Sequence, residues 1–170
     1  MDTPTLHGDR VALRPLTEAD LPRLLEILLQ PMVAEWWPGY DMARLRADTL
    51  EDSDATSLAV EFNGDFVGLV IFTEGSDPYY KSAGIDIALD TTCVGQGLGS
   101  DTLRTVIRHL FEDLGHHRIT IDPALTNERA IRVYQKVGFK SIGVGREYEK
   151  GPDGTFHDNL LMDLLAGELK

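Results

Sequence analysis

Val94-Gly95-Gln96-Gly97-Leu98-Gly99 stands between a stretch that reads as a strand, Ala83 to Leu89, and one that reads as a helix, Ser100 to Phe111. Glycines let a backbone approach a ligand closely, and the unpaired N–H groups of a helix N-terminus favour an anion. Backbone N–H groups from Gln96 to Ser100 can therefore cradle a pyrophosphate. A second stretch runs from Asn127 to Phe139, with an Asn to open a helix, Tyr134 two turns on, and Gly138-Phe139 to end it. Helical geometry puts Asn127 and Tyr134 on one face. Asp86 (in Gly84-Ile85-Asp86) and Asp122 (in Ile121-Asp122-Pro123) stand at strand ends. A carboxylate beside a reacting centre holds an ammonium and accepts its proton, directly or through water. Glu35-Trp36-Trp37 offers aromatic faces that stack on a sugar or a cation.

Each feature also has a plainer use. Asn favours the helix N-cap in any case. Tyr134 serves equally as an amphipathic ring packed on a sheet, Asp122 as a cap before its proline, and a tryptophan as a staple between loop and core.

The elements that must position these residues follow from periodicity. Val11 to Pro15 reads as a first strand, and Thr17-Glu18-Ala19-Asp20 as an N-cap with acidic residues in the first turn. Leu21, Leu24, Leu25 and Leu28 form a helical apolar stripe, and Asp41 caps a second, more polar helix through Glu51. Ser57 to Phe62 and Phe66 to Phe72 flank Asn63-Gly64-Asp65, a short hairpin signal. A polar loop from Thr73 to Lys81 precedes the Asp86 strand, and its Asp77 and Tyr79-Tyr80 are candidates to line an amine pocket. A short strand at Ile119 to Asp122, the 127–137 helix and two strands around Gly151-Pro152-Asp153-Gly154 complete the chain. The expected fold is α/β (α+β), with helices flanking one mixed, mostly antiparallel sheet.

At 170 residues the chain suits one domain, 1–170, burying roughly 70% of its unfolded surface. A net charge of −12 argues against nucleic-acid binding, which draws its affinity from Lys and Arg on phosphates. The same charge suits a cationic substrate, since a cleft of one sign concentrates the other. No apolar run reaches the ~18 residues that cross a membrane, and the N-terminus has no signal pattern, so the expectation is a cytoplasmic protein with no membrane partner. Cys93 is the single cysteine, which excludes an internal disulfide and a cysteine metal cluster. His116-His117 are adjacent at a strand entry and point to opposite faces, so no metal site is expected there.

The glycine turn together with Asn127, Ala130, Tyr134 and Gly138-Phe139 resembles the GNAT family of acetyl-CoA-dependent N-acetyltransferases, over nearly the whole chain. The resemblance implies that Val94, Gly95, Gln96, Gly97, Leu98, Gly99 and Ser100 form the coenzyme's pyrophosphate loop, that Asn127 and Ala130 touch the coenzyme, and that Tyr134 is the general acid. One departure is Val94, where the family usually has Gln or Arg, which leaves the backbone cradle without a side-chain clamp. Glu35-Trp36-Trp37, Gly84-Ile85-Asp86, the glycine turn and Asp122-Pro123 through Phe139 are similar to the aminoglycoside 6′-N-acetyltransferase branch. That likeness implies Asp86 as general base or amine anchor, Asp122 as an ammonium partner, and Trp36, Trp37 and Asp77 around the acceptor. The implied reaction is direct attack of a cationic small-molecule amine on acetyl-CoA in a ternary complex, by a monomer or homodimer. Two alternatives stay open: acetylation of another small amine or a protein N-terminus, and a non-catalytic acetyl-CoA sensor. The opening Asp9-Arg10-Val11-Ala12-Leu13-Arg14-Pro15-Leu16 is shared broadly with N-terminal acetyltransferases and does not separate them.

Overall fold

The computed structural model describes residues 3–170. Among them one sheet runs in the order β1-β2-β3-β4-β5-β6-β8-β7. Its strands are β1 (Leu6–His7), β2 (Val11–Pro15), β3 (Ala55–Phe62), β4 (Asp65–Glu74), β5 (Ala83–Leu89), β6 (Arg118–Ile121), β7 (Lys140–Lys150) and β8 (Phe156–Leu165). Every neighbouring pair is antiparallel except β5 and β6. That parallel pair needs a crossover, which is α4 (Leu98–Glu112). The helices α1 (Leu21–Leu28), α2 (Pro31–Ala34) and α3 (Met42–Arg46) lie between β2 and β3, and α5 (Glu128–Val137) between β6 and β7.

The sheet is buried on both faces. Leu58, Val60, Val70, Phe72 and Ile85 pack with Leu103, Val106 and Ile107 of α4 and with Tyr134 and Val137 of α5. Ala59, Leu69, Ile71 and Ala88 point the other way and pack with Leu21, Leu24, Ile27 and Leu28 of α1. Two covered faces explain why Val67 to Phe72 is an apolar run and not an alternation. Asn63-Gly64 forms the β3–β4 turn with φ of 52° and 83°, the twist that suits a two-residue hairpin.

The expected mixed, mostly antiparallel sheet is observed. Two short elements escaped the periodicity. β1 has two residues and α2 four, too few to carry a pattern. The polar second helix is α3, capped by Asp41, whose carboxylate accepts from the Arg44 N–H at 2.8 Å, followed by a wider π turn at Ala47–Glu51.

β5 and β6 pair only at Ala83 with Ile119 and Gly84 with Thr120. Past Gly84 they part, which leaves the β6-facing edge of β5 unpaired from Ile85 to Leu89. The candidate site residues lie around this parting.

Candidate active site

The glycine turn follows β5 directly. Asp90 caps a 3₁₀ turn at Thr91–Cys93 by accepting from the Thr92 N–H and hydroxyl. Its buried carboxylate also accepts from Arg23 of α1 and, at 3.3 Å, from the Gln30 side-chain amide. Gln30 in turn accepts from the Thr91 N–H at 2.9 Å. Helix α1 thereby fixes the base of the turn. Gly95 and Gly97 adopt φ of 76° and 77°, where an L side chain is strained. Gly97 opens α4 with no side-chain cap. The first-turn N–H groups of Leu98, Gly99 and Ser100 have no intrahelical acceptor by geometry, so they are available to an anion.

Two anchors hold this end of α4 to the rest of the molecule. Arg10 donates to the Gln96 carbonyl and stacks 5.1 Å from the Phe62 ring. Asp101, buried in the first turn of α4, accepts from three backbone N–H groups: Asp9 at 3.0 Å, Arg10 at 2.8 Å and Val11 at 2.9 Å. Sequence reasoning missed Asp101, since its partners lie some 90 residues earlier. No local signal marks it, because an acid in the first turn of a helix is ordinary.

Two clefts meet beneath the parting strands. The larger, about 810 Å³, is lined by Val94, Gly95, Gly97, Gly99, Ser100, Asn127, Ala130 and Tyr134, among others. Within the turn, Leu98 is fully buried in the core, and the Gln96 side chain donates back to the Thr92 carbonyl at 2.6 Å. Neither of those two residues lines the cleft. The second cleft, about 530 Å³, is lined by Asp86, Asp122, Tyr148, Glu149, Asp153, His157 and Asn159. Trp36, Trp37, Ile87 and Asn127 belong to both, so the clefts are contiguous.

Asp86 and Tyr134 face this junction from opposite sides. Asp86 lines the second cleft, its side chain exposed to the cleft yet hemmed in by protein. That desolvation, reinforced by the charges of Asp122 and Glu149, pushes its carboxyl from 3.8 up to about 6. Burial also raises the Asp122 carboxyl, and the Glu149 charge adds to it. The Tyr134 ring is buried edge-on to Phe139, with centroids 6.1 Å apart. Burial, and then the charges of Asp86 and Asp122, push the phenol well above its ordinary value, so it stays protonated. Among the described residues its hydroxyl has no hydrogen-bond partner, although the side chain lines the coenzyme-sized cleft.

Asn127 caps α5, its side-chain oxygen accepting from the Ala130 N–H at 3.3 Å. The cap role and the cleft position coexist. Trp37 packs against the α1 core with Tyr40 at 5.9 Å, so one tryptophan staples the loop while both face the clefts. Asp77 is not brought to the site. It lies in the β4–β5 loop, lines neither cleft, and spends its carboxylate on the Tyr79 N–H at 2.9 Å. His116 is buried with Nε2 at 2.6 Å from Glu74, and His117 is exposed.

Residues 10–140 match the family described as acetyltransferase (GNAT) domain. The chain belongs to this family. It is an acetyl-CoA-dependent N-acetyltransferase, and acetyl-CoA is its co-substrate. Among its relatives is the aminoglycoside N(6′)-acetyltransferase type 1 of Klebsiella pneumoniae, 33% identical over 159 residues that cover 82% of this chain and 78% of that one. The spermidine N(1)-acetyltransferase of Escherichia coli strain K12 is 25% identical, covering 82% and 77%. Among solved GNAT structures, Mycobacterium smegmatis RimJ in complex with CoA-disulfide superposes with a TM-score of 0.85 at 25% identity, covering 98% of this chain and 89% of that one. AAC(6′)-Ib in complex with ribostamycin and coenzyme A gives 0.76 at 28% identity, covering 93% and 94%.

The larger cleft brings together the backbone of the glycine turn, β5 residues Ile87 to Leu89 beside its unpaired edge, and the side chain of Tyr134. No helix among the described residues is long and apolar enough to cross a membrane.

Proposed function

We propose that the protein transfers the acetyl group of acetyl-CoA to the 6′-amine of an aminoglycoside, by direct attack in a ternary complex. The observation that carries this reading is the junction of the two clefts. An acidic acceptor cleft with Asp86 on its floor opens beside a coenzyme cleft that ends at Tyr134. The likeness to the Klebsiella enzyme, whose name states that reaction, supports the choice of amine.

The chemistry follows from the two residues' environments. The acceptor ammonium is held by Asp86, whose raised basicity makes it an effective proton acceptor near neutral pH. The freed nitrogen lone pair attacks the thioester carbonyl carbon, and a C–N bond forms. Backbone N–H on the open edge of β5 polarises the carbonyl oxygen as negative charge develops there. The tetrahedral intermediate collapses, the C–S bond breaks, and Tyr134 gives its proton to the departing thiolate. Asp86 already holds the first ammonium proton and releases it to solvent, while the nitrogen's remaining surplus proton passes through solvent to the Tyr134 phenolate, so both residues return to their starting states. Trp36 and Trp37 form a wall across the junction that suits a sugar ring.

Free-thiol release from acetyl-CoA tests this against kanamycin, a kanamycin lacking the 6′-amine, spermidine, lysine derivatives and short peptides. Turnover of kanamycin that vanishes without the 6′-amine is the expected result. The acidic cleft and the likeness to the spermidine enzyme favour one second reading, a linear polyamine acceptor. Turnover of spermidine with kanamycin silent would replace the first reading with it.

A further inference from the structure

Gln30 joins two parts of the site that the acetyl-transfer chemistry uses separately, the glycine turn and the tryptophan loop. Its backbone opens α2: the Gln30 carbonyl accepts from the N–H groups of Val33 at 2.9 Å and Ala34 at 2.8 Å. The Val33 carbonyl in turn accepts from the N–H groups of Trp36 at 3.0 Å and Trp37 at 2.9 Å. A run of backbone hydrogen bonds therefore leads from Gln30 to both tryptophans. Its side chain goes the other way. Oε1 accepts from the Thr91 N–H at 2.9 Å, and Nε2 donates to the Asp90 carboxylate at 3.3 Å. One primary amide thus grips two consecutive residues at the base of the turn.

The elements on either side of this amide are weakly built. A helix of four residues has no stability of its own. Val33 is the one buried residue of α2, and Trp37 rests on the α1 core beyond it. Leu29 and Met32 beside them are exposed. Those contacts run to the core, and the Gln30 amide is the tie that runs to the turn. The turn itself is open past its base. Val94 is exposed, and no atom stands within 4 Å of a Cβ placed on Gly95. Asp90 is the fixed point between the two, buried and paired with Arg23.

We propose that Gln30 is a positioning residue that couples the glycine turn to the Trp36-Trp37 wall, so that a pyrophosphate in the turn orders the cleft that receives the amine. A pyrophosphate held by the N–H groups of Leu98, Gly99 and Ser100 restrains the loop back to Thr91 and Asp90. Gln30 carries that restraint to α2, and Trp36 and Trp37 lose freedom with it. The acceptor then meets a wall already ordered and loses less entropy on binding. Linkage makes the effect mutual: the factor that coenzyme adds to acceptor affinity is the factor that acceptor adds to coenzyme affinity. Gln30 lines neither cleft, so it acts only through the turn and the wall. This inference rests on the acetyl-transfer reading for the identity of the two ligands.

The test is calorimetric titration of kanamycin and of spermidine into the protein, free and saturated with coenzyme A, which has no acetyl group to transfer. Wild type should bind one of these amines about fivefold more tightly with coenzyme A present. Gln30→Met keeps the length of the side chain and loses both hydrogen bonds. In that variant the factor should fall to about one, while each ligand alone binds within about twofold of wild type. Equal coupling in wild type and variant overturns the inference, as does a wild type without coupling. Weakened binding of each ligand alone, with the coupling intact, marks a merely structural residue and overturns it too. A second readout needs no acceptor. Trp36 and Trp37 are the only tryptophans of the chain, so acrylamide quenching of their emission reports on the wall. ADP carries a pyrophosphate without the pantetheine arm, and it should protect the tryptophans from quenching in wild type but not in Gln30→Met. Protection that persists in the variant overturns the inference. Should neither amine bind, the proposed acceptors fail and the quenching still decides the coupling. Failure of ADP to bind refutes the turn as a pyrophosphate site, and this inference with it. Should Gln30→Met not fold, Gln30→Ala removes the same two bonds and decides in its place.

Discussion

Asp86→Asn should make this protein more stable and nearly inactive at once. The folded carboxyl sits at about 6 against 3.8 in the unfolded chain, because the cleft floor desolvates the charged form. An acid with a raised folded pKa loses stability as pH climbs: the deficit is absent below about 4, grows between the two values, and is complete above about 6. Taken at face value a shift of this size amounts to about 3 kcal/mol. The Asp86 side chain is exposed to the cleft, so solvent screening leaves roughly 1 kcal/mol of it. Asparagine is isosteric and uncharged, which removes the penalty. Thermal unfolding should then show the variant melting about 2–4 °C above wild type at pH 8, with the gap closing as pH falls toward 4. In parallel kcat/KM should fall by about 10²-fold, and the wild-type rise in rate through pH 6 should disappear. A variant that melts at or below the wild-type temperature at pH 8 would show that the carboxylate is not desolvated. The account of its basicity would fail with that result, whatever the kinetics.

Other substitutions probe the remaining parts. Tyr134→Phe should lower kcat about 10²-fold with little change in KM for acetyl-CoA or in Tm, since the hydroxyl has no partner among the described residues; unaltered turnover would remove it as the acid. Gly97→Ala forces a methyl group into φ of 77°, so a loss of about 1 kcal/mol in denaturant unfolding and a raised KM for acetyl-CoA are expected. Asp101→Ala strips three backbone N–H groups of their acceptor and should cost about 3 kcal/mol in the same assay; a loss under 1 kcal/mol would mean that water replaces the carboxylate freely.

What was legible in the sequence is what is local. The glycine turn is one contiguous run, and Asn127 and Tyr134 stand seven residues apart on one helix, where the helical repeat alone relates them. Asp86 was visible as an acid on an otherwise apolar strand, although its basicity depends on Asp122 and Glu149, which only the folded sheet brings near. Asp101 and Asn159 were invisible because their partners are set by tertiary pairing. A bulge in β7 was equally hidden, since Gly145 to Glu149 reads as continuous strand until β8 is laid beside it. Asp77 misled for the converse reason: polar loop residues look alike whether they face a ligand or tie their own turn.

The sheet consists of two antiparallel blocks, β1 to β5 and β6 to β8, mated by a parallel seam of two residue pairs. The first block carries Asp86 and leads into the glycine turn, while the second supplies Asp122, Glu149 and Asn159 to the acidic cleft. Such a seam transmits little from one block to the other. A lineage of these enzymes can therefore retune what it acetylates by remodelling its last two strands, with the thioester machinery left undisturbed across the joint.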